Sequence, residues 1–404
     1  PPPDKLQLVI DLYKKRKFQK ALNLASKLLQ QFPSSIILHN IRGVANQGLG
    51  QFNAAIEAFN KALLIKPDFA EAYNNLGNAF KEQGKLEDAI KAYNQALTIK
   101  PDNADTLNNK GVALQEQNKL EDAIKAYNKA LIIKPNNAST FNNMGVALQE
   151  QGKLKEAIES YNQALIIEPN YPSAYSNLGA ALKGFTFEKP SPNMHKAITF
   201  LLDNNSYVRP NTIATTIINL LKFEPNLQKY LHAHYSIKEA PNIQDIIIKL
   251  SRLPLLLKLM SVCPLPDLGL EHLFREIRAN LLSSISSLTS SPTSLRFQSA
   301  LALQCFTNEY IYHQREHEER ALAVLEKKVK QVLTSGKQPN PQHILCLASY
   351  KALNQYEWCD LLKPNAEIDE VFVRQFIEPN QEKNLRSKIP ILNKITNNIS
   401  SKVR

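Results

Sequence analysis

Two histidines and a glutamate in the string His313-Gln314-Arg315-Glu316-His317 are the residues of this chain best suited to metal chemistry. Two histidines four residues apart on one helix can bind zinc, and the glutamate between them can activate a water molecule for hydrolysis. The pattern fixes only three positions, and no third ligand is identifiable. The surrounding stretch is rich in charge, as on the exposed face of a long helix. We therefore predict no metal site and keep a metal-dependent hydrolase as an alternative function.

Other reactive side chains are predicted to serve packing rather than catalysis. His232 and His234 lie near a predicted helix end, where surface or packing roles are the simpler interpretation. Glu309 and Tyr310 are expected to form a buried hydrogen-bonded pair, with a polar site on the domain surface as the alternative. Trp358, the single tryptophan, is predicted to anchor a core or an interface. None of these residues is predicted to be catalytic.

The second half of the chain also has no pattern for binding a nucleotide cofactor. From residue 184 onward the glycines are Gly184, Gly269 and Gly336, and no GxGxxG, P-loop or GxSxG string occurs. A dinucleotide or methyl-donor fold needs a glycine-rich turn after a strand, so that the backbone can approach the ligand. The sequence therefore predicts no cofactor and no catalytic residue in this chain.

Carboxamide side chains, in contrast, recur at a regular spacing of 34 residues. Asparagine offers one acceptor and two donors, so it can pair with a peptide backbone whatever the side chains of that peptide are. Exposed helical asparagines that only face water are the competing interpretation. The predicted peptide-binding residues are Asn74, Asn75, Asn78, Asn108, Asn109, Gln115, Asn142, Asn143, Gln149 and Asn177.

The same 34-residue period governs glycines, prolines, alanines and aromatic residues of the first half. The glycines are Gly43, Gly77, Gly111, Gly145 and Gly179, and the prolines are Pro33, Pro67, Pro101, Pro135 and Pro169. A fixed period of this kind indicates a stacked array in which each repeat buries its faces against its neighbours. The block over 70–101, AEAYNNLGNAFKEQGKLEDAIKAYNQALTIKP, resembles a tetratricopeptide repeat. The resemblance implies a right-handed superhelical solenoid of two-helix repeats.

With position 1 of a repeat placed at Ala70, the helical period assigns each position to a face. Positions 4, 7, 8 and 11 of the first helix fall within one buried arc, and the glycine at position 8 lets a neighbouring helix approach. Positions 2, 5, 6, 9, 12 and 13 are expected to line the concave wall. Gly84 is predicted to end the first helix, and the proline at position 32 the second. We count a degenerate repeat one (2–35), repeats two to five (36–171) and a final helix (172–184).

The asparagines at position 6 are similar to those of O-linked N-acetylglucosamine transferases, a resemblance that implies contacts with a bound peptide. Ile41 interrupts the row in repeat two, so the groove is expected over repeats three to five and the final helix. The carboxylate clamp of co-chaperone repeats is a different pattern, and only one of its five positions agrees here. A heat-shock chaperone tail is therefore not the expected ligand.

The period disappears after Leu182, and the proline-containing segment 184–193 marks the expected boundary. We predict a tetratricopeptide solenoid over 1–185 and a compact all-helical domain over 186–404, with its clearest helices at 193–203, 267–288, 293–312, 315–335 and 341–353. The segments 253–282, 302–312 and 377–404 resemble the region between repeats and catalytic domain in bacterial tetratricopeptide proteins fused to S-adenosylmethionine-dependent methyltransferases. In such fusions the methyltransferase would begin just past Arg404.

Composition limits the remaining function classes. No apolar run reaches the roughly 18 residues that a membrane span needs, so a soluble, cytoplasmic protein without a membrane is expected. The net charge of +12 is spread over both halves, which disfavours nucleic acid because a binder clusters its basic residues. The four cysteines form no CxxC pair and are predicted to be reduced thiols. The start, PPPDKLQ, has no initiator methionine, which suggests a trimmed or excised piece.

The sequence as a whole predicts an all-α, non-catalytic scaffold that binds an extended peptide or a partner protein. The scaffold is interpreted as the recruiting part of a larger bacterial methyltransferase-like protein. Two alternatives stay open beside it. One is the metal-dependent hydrolase described above, and the other is a self-associating structural homo-oligomer in which repeat edges accept a neighbouring chain.

Overall fold

The structure is a computed structural model that describes residues 1–204, 206–232 and 242–388. All regular secondary structure in these three ranges is helical, which confirms the predicted all-α class. The chain separates into two compact units, an N-terminal unit over Pro1–Ala181 and a C-terminal unit that begins at Leu182. The exact boundary predicted between residues 185 and 186 stays a prediction.

The N-terminal unit consists of eleven helices, of which the first ten form five successive antiparallel hairpins and the last is a single first helix. Odd-numbered helices are the first helices of a repeat and even-numbered helices are the second helices. Each helix contacts the one before it and the one after it, which gives the solenoid predicted from the period. The bounds are α1 (Pro3–Lys14), α2 (Phe18–Gln31), α3 (Ile36–Gly48), α4 (Phe52–Ile65), α5 (Ala70–Glu82), α6 (Leu86–Ile99), α7 (Ala104–Glu116), α8 (Leu120–Ile133), α9 (Ala138–Glu150), α10 (Leu154–Ile167) and α11 (Pro172–Ala181).

The glycine at position 8 sits against the aromatic ring at position 24 of the same repeat. A Cβ atom added to Gly111 would lie 2.5 Å from Cε1 of Tyr127, and one added to Gly77 would lie 2.5 Å from Cε1 of Tyr93. Carbon atoms in ordinary contact are about 3.5–4.0 Å apart. The two helices of a hairpin can therefore pack this closely only because position 8 has no side chain, as the sequence predicted.

The turn between the two helices of each hairpin needs one residue in the left-handed region of backbone conformation. This residue stands at position 15. In three repeats it is a glycine, a residue that adopts this conformation without steric cost. Its φ angle is +73° at Gly84, as the predicted helix end requires, and +60° at Asn118. Asparagine is the usual substitute for glycine in this conformation, so repeat four keeps the same turn as its neighbours.

The buried face of the first helices is wider than predicted. Positions 4, 7 and 11 are buried or half-buried as expected, but the small residues at positions 3 and 10 are also buried. These positions lie where a first helix packs against the preceding repeat, so a large side chain would separate the two repeats. The additional residues are Ala72, Thr106, Thr140 and Ala174 at position 3 and Ala79, Ala113, Ala147 and Ala181 at position 10.

The C-terminal unit contains helices of less regular length that begin mostly at prolines. Proline is well tolerated in the first turn of a helix because its missing N–H has no intrahelical partner there. The bounds are α12 (Pro192–Asp203), α13 (Pro210–Leu221), α14 (Pro225–His232), α15 (Ile243–Leu250), α16 (Pro254–Val262), α17 (Leu268–Ser284), α18 (Pro292–Thr307), α19 (Glu316–Thr334), α20 (Pro341–Ala348), α21 (Asp369–Phe372) and α22 (Glu378–Lys388).

Three of the five helices predicted here end earlier than expected, since α17, α18 and α20 stop four or five residues short. For α18 the cause is local. Glu309 and Tyr310 both have positive φ angles, +52° and +56°, which end the helix without a glycine. The predicted buried pair is therefore wrong: Glu309 is exposed, and the Tyr310 hydroxyl instead donates to the carbonyl oxygen of Ala348 at 3.2 Å.

The core of the C-terminal unit combines apolar packing with one buried polar network. Trp358 is buried and its ring stacks on Tyr356 with centroids 4.7 Å apart, which confirms the predicted anchor. The guanidinium of Arg278, only 1 % exposed, lies 4.1 Å from the ring centroid of Tyr350. The Tyr350 hydroxyl donates to Oε1 of the buried Glu318 at 2.6 Å. This network fixes α17, α19 and the end of α20 against one another.

Candidate functional site

The first helices of the repeats form the concave side of the N-terminal unit. Successive first helices, from α3 through α11, contact one another as well as their second helices, whereas successive second helices approach each other less closely. A stack whose elements lie closer together on one side curves toward that side. The face lined by the first helices, here called the inner face, is therefore a groove, and the second helices form the outer face.

A row of hydrogen bonds runs along the inner face and joins each repeat to the next. At each step the Nδ2 group of the asparagine at position 6 donates to Oδ1 of the asparagine at position 5 in the preceding repeat. We call this set the asparagine ladder. Its bonds are Asn75 to Asn40 at 3.0 Å, Asn109 to Asn74 at 3.2 Å, Asn143 to Asn108 at 3.2 Å and Asn177 to Asn142 at 2.9 Å.

The asparagines at position 6 keep part of their hydrogen-bonding capacity. A carboxamide has two N–H donors and one carbonyl acceptor, and the ladder uses one donor of each. In the part of the chain that the structure describes, no hydrogen bond reaches Oδ1 of Asn109, Asn143 or Asn177, and none of these oxygens is sealed off from solvent. Each of these side chains therefore keeps one N–H and one C=O outside the ladder, the same pair of groups that a peptide unit needs.

The asparagines at position 5 hold a different place from the one predicted for an open wall. Asn142 is 6 % exposed and Asn40 is also 6 % exposed, because the first helix of the following repeat covers them. Asn74 and Asn108 are half-buried. All four supply the acceptors of the ladder and so orient the position 6 side chains. Burial leaves Asn142 little surface for a ligand, whereas peptide binding by Asn74 and Asn108 stays a prediction.

The predicted amides at positions 9 and 12 are tied to the aromatic residue at position 24. Tyr93 donates its hydroxyl to Oδ1 of Asn78 at 2.7 Å, Tyr127 to Oε1 of Gln115 at 3.0 Å, and Tyr161 to Oε1 of Gln149 at 3.0 Å. Burial raises the pKa of all three tyrosines, so their hydroxyls stay protonated as donors. The ring that covers the position 8 glycine thus also orients an amide on the inner face.

A cavity of about 260 Å³ opens between α7 and α9 on the inner face. It brings together two predicted residues, Gln115 and Asn143, and adds Glu116 and Glu150 beside two valines, Val112 and Val146. Nε2 of Gln115 donates to Oε2 of Glu150 at 3.0 Å. Neither glutamate was predicted as a binding residue, although a glutamate recurs at position 13 in repeats three, four and five.

The carboxylates beside this cavity are only partly compensated by bases. Glu116 lies 3.8 Å from Nζ of Lys81, which is bound more closely to Glu82 at 2.7 Å. Among the described residues no lysine or arginine forms an ion pair with Glu150. The cavity between α7 and α9 can therefore accept a basic group.

The histidine motif of the C-terminal unit does not form the geometry of a metal site. Helix α19 begins at Glu316, with Arg315 as the residue that precedes it, so His313 lies before the helix and does not share a helical face with His317. Within the described ranges, no group of three or more histidine, cysteine, aspartate or glutamate side chains could hold a metal ion. The other histidine pair cannot be compared, since His234 lies outside the described residues.

The four cysteines of the chain are all free and buried, in agreement with the thiols predicted from their spacing. They are Cys263, Cys305, Cys346 and Cys359.

Membrane spans need long, apolar helices, and none of the helices in the described part of the chain has that length and apolar character.

Comparison with known protein families agrees with the repeat geometry. A family model described as the TPR repeat matches four overlapping segments, 48–84, 77–118, 113–152 and 148–184. These segments contain helices α4 to α11, the glycine and aromatic contacts of repeats three to five and most of the asparagine ladder. Residues 48–184 are therefore tetratricopeptide repeats. A search of curated proteins gives no match.

Several solved structures match part of this chain. MamA is 27 % identical over 39 % of this chain and 93 % of its own, with a TM-score of 0.37. PilF of Pseudomonas aeruginosa is 20 % identical over 55 % of this chain and 91 % of its own, with a TM-score of 0.41. YrrB, described as a TPR protein with an unusual peptide-binding site, is 18 % identical over 43 % of this chain and 90 % of its own, with a TM-score of 0.36.

Proposed function

We propose that this chain is a non-catalytic scaffold that binds an extended segment of a partner protein along its inner face. The binding groups are the position 6 asparagines, chiefly Asn109, Asn143 and Asn177, with Asn75 at the end of the row. The observation that carries this proposal is the asparagine ladder. Asn109, Asn143 and Asn177 are each held in one orientation by a bond to the preceding repeat, while one donor and one acceptor of each side chain remain for a ligand.

Orientation before binding matters because ordering a free side chain costs about 0.5–1.5 kcal/mol on association. The ladder has already fixed these carboxamides, so less of that cost opposes binding. A net gain of about 0.5–1.5 kcal/mol for each hydrogen bond to the partner backbone is then available. Three or four such contacts give a weak, sequence-tolerant grip, to which side-chain contacts add specificity.

The cavity between α7 and α9 supplies one such contact. Its carboxylates, Glu116 and Glu150, stand beside Asn143 and two valines. A lysine or arginine of the partner could place its aliphatic stem against the valines and its charge near the glutamates. The favoured partner segment is thus extended, with a basic residue near its middle.

The test is binding of a peptide selected from a random library on the full chain. In the Asn109→Ala/Asn143→Ala variant two backbone contacts are lost, which at about 1 kcal/mol each should weaken binding roughly 30-fold. A matched control is Asn60→Ala/Asn128→Ala, which removes two exposed asparagines of the second helices. Equal affinity of the first variant and the wild type would show that the ladder amides do not bind the peptide.

We also propose that the chain is the recruiting part of a larger bacterial methyltransferase-like protein of the cytoplasm. The support is the resemblance of 253–282 and 302–312 to the inter-domain region of such fusions, together with four free buried cysteines, which suit a reducing compartment. Helices α16, α17 and α18 hold most of these two segments, while part of the third, 389–404, lies outside the described residues. The gene downstream of Arg404 tests the idea: a reading frame without a cofactor-binding domain would contradict it.

A further inference from the structure

The outer face of repeats three and four carries a groove that is distinct from the inner face. It has a volume of about 830 Å³ and lies between the second helices α6 and α8, with side chains of α7 at its floor. Its walls are largely aliphatic and include Leu97, Leu107 and Ile132. Ile132 is 79 % exposed. Three lysines, Lys110, Lys125 and Lys129, line the same groove.

Lys110 occupies a position where most repeats place an apolar residue. Position 7 is Leu76 in repeat three, Met144 in repeat five and Leu178 in the final helix. Lys110 is half-buried, and no hydrogen bond or ion pair to its ammonium group is found among the described residues. Burial lowers the pKa of Lys110, and the nearby charge of Lys129 lowers it further, against an opposing effect of Asp122.

Repeat two shows how the same chain compensates a similar set of cations. Its position 7 is Arg42 and its position 26 is Lys61, the equivalents of Lys110 and Lys129. Between them stands Glu57 at position 22, which accepts a bond from Nζ of Lys61 at 2.7 Å. Lys61, chiefly, and Arg42 hold the pKa of Glu57 below its usual value. In repeat two, the carboxylate of Glu57 thus compensates the positive charges of Arg42 and Lys61.

In repeat four the carboxylate is replaced by a third cation. The residue at position 22 is Lys125, whose ammonium is bound to Asp122 at 3.1 Å. Asp122 therefore forms an ion pair with Lys125. Lys110 and Lys129 then have no carboxylate at the position that Glu57 occupies in repeat two. The groove has the shape and the charge of a site for an external carboxylate.

We propose that this groove binds an acidic segment of a partner protein, with a glutamate or aspartate side chain between Lys110 and Lys129 and an aliphatic side chain on the wall formed by Leu97, Leu107 and Ile132. The groove favours a carboxylate on an apolar chain over a nucleic acid, because Asp102 and Asp122 also line it and would repel a dense row of phosphates. The site is separate from the inner face, so the protein would hold two segments of opposite charge preference.

The experiment selects binders from a random 12-residue peptide library displayed on phage, using the full chain as the target. Each round is depleted on a Lys125→Glu variant, which restores in repeat four the carboxylate that repeat two contains. This depletion also removes peptides that bind the inner face. The most enriched peptide is then synthesised with a fluorescent label and titrated against each variant.

The expected result is enrichment of peptides with one or two acidic residues beside aliphatic ones. Their binding should fall tenfold or more in Lys125→Glu and in Lys110→Met, since a hydrogen bond to a charged group is lost. The control is Lys91→Glu, the same substitution at position 22 of repeat three, where position 7 is Leu76. It should leave binding within about twofold, because exposed charges at a distance are screened by salt.

Several results would overturn the proposal. These are no enrichment over the Lys125→Glu variant, enrichment of uncharged or basic peptides, and an equal loss of binding in Lys91→Glu. Strong competition by a 12-nucleotide single-stranded DNA that itself loses affinity in Lys110→Met would identify the groove as a site for nucleic acid instead. Thermal unfolding followed by circular dichroism checks that the Lys110→Met variant is folded. Methionine already stands at this position in repeat five, so the variant should unfold at no lower temperature than the wild type.

Discussion

Replacing Gly111 with alanine tests the contact on which each hairpin depends. The added Cβ would lie 2.5 Å from Cε1, 2.7 Å from Cδ1 and 2.9 Å from Cζ of Tyr127. An ordinary carbon contact of about 3.5 Å requires the ring to move by about 1 Å. The Tyr127 hydroxyl, now 3.0 Å from Oε1 of Gln115, would then move out of hydrogen-bonding range.

The size of the destabilisation follows from two costs and one gain. Overpacking of a well-filled interface costs about 1–3 kcal/mol, and the lost hydrogen bond adds about 1 kcal/mol. Alanine in place of glycine within a helix returns about 1 kcal/mol. We therefore expect Gly111→Ala to destabilise repeat four by about 2 kcal/mol, although in an isolated helix the same substitution is stabilising.

Hydrogen exchange followed by mass spectrometry measures this effect where it occurs. Repeats are held by nearest-neighbour contacts, so α7 and α8 should open locally. Their amides should exchange roughly 30-fold faster, as 2 kcal/mol requires, while amides of α3 and α4 change little.

A double-mutant cycle decides whether the ring is the cause. In a Tyr127→Leu background the side chain that the new methyl group meets is absent, so Gly111→Ala should cost little or even stabilise. An equal cost of the alanine in both backgrounds, or no change in exchange in the Gly111→Ala variant itself, would refute this explanation of the position 8 glycine.

Two further predictions concern buried polar groups. The hydroxyl of Thr106 is buried without a hydrogen-bond partner in the described residues, so Thr106→Val should raise the stability of repeat four by about 1 kcal/mol; slower exchange in α7 supports this, and faster exchange contradicts it. Burial also raises the pKa of Cys263 to about 11, and that of Cys305, Cys346 and Cys359 to about 12. Because the thiolate is the reactive form, native protein at pH 8 should react with Ellman's reagent at least 100-fold more slowly than unfolded protein; rapid reaction of any native thiol would contradict the burial described here.

The N-terminal unit could be predicted in detail because its constraints repeat in the sequence. A glycine at position 8 and a ring at position 24 recur in each of repeats two to five, so a chance pattern is excluded before any geometry is known. The buried small residues at positions 3 and 10 were missed, since alanine and threonine carry a weak hydrophobic signal. Their burial follows from contact with the preceding repeat rather than from their own polarity.

The ladder shows what periodicity alone cannot supply. The sequence places asparagines at positions 5 and 6, but it does not say that position 6 donates to position 5 of the preceding repeat. That bond depends on how far one repeat is rotated from the next, which is a property of the stack. It changes the interpretation of Asn142 from a ligand-binding residue to a buried acceptor.

The C-terminal unit was predicted less closely because its helix ends depend on tertiary contacts. Glu309 and Tyr310 adopt left-handed conformations that neither residue favours by itself, and the Tyr310 bond to Ala348 helps hold them there. The buried arginine Arg278 gave no signal in the sequence, since a lone arginine in a helix is usually exposed.

Since every rung of the ladder is shared by two adjacent repeats and by no others, the groove can grow by duplication of its own gene segment. A copy of 34 residues inserted in phase would bring one new donor and one new acceptor, and it would leave the older rungs intact. An insertion whose length is not a multiple of 34 residues would break the row at that point. The length of the groove can thus change during evolution by whole repeats, without a new fold.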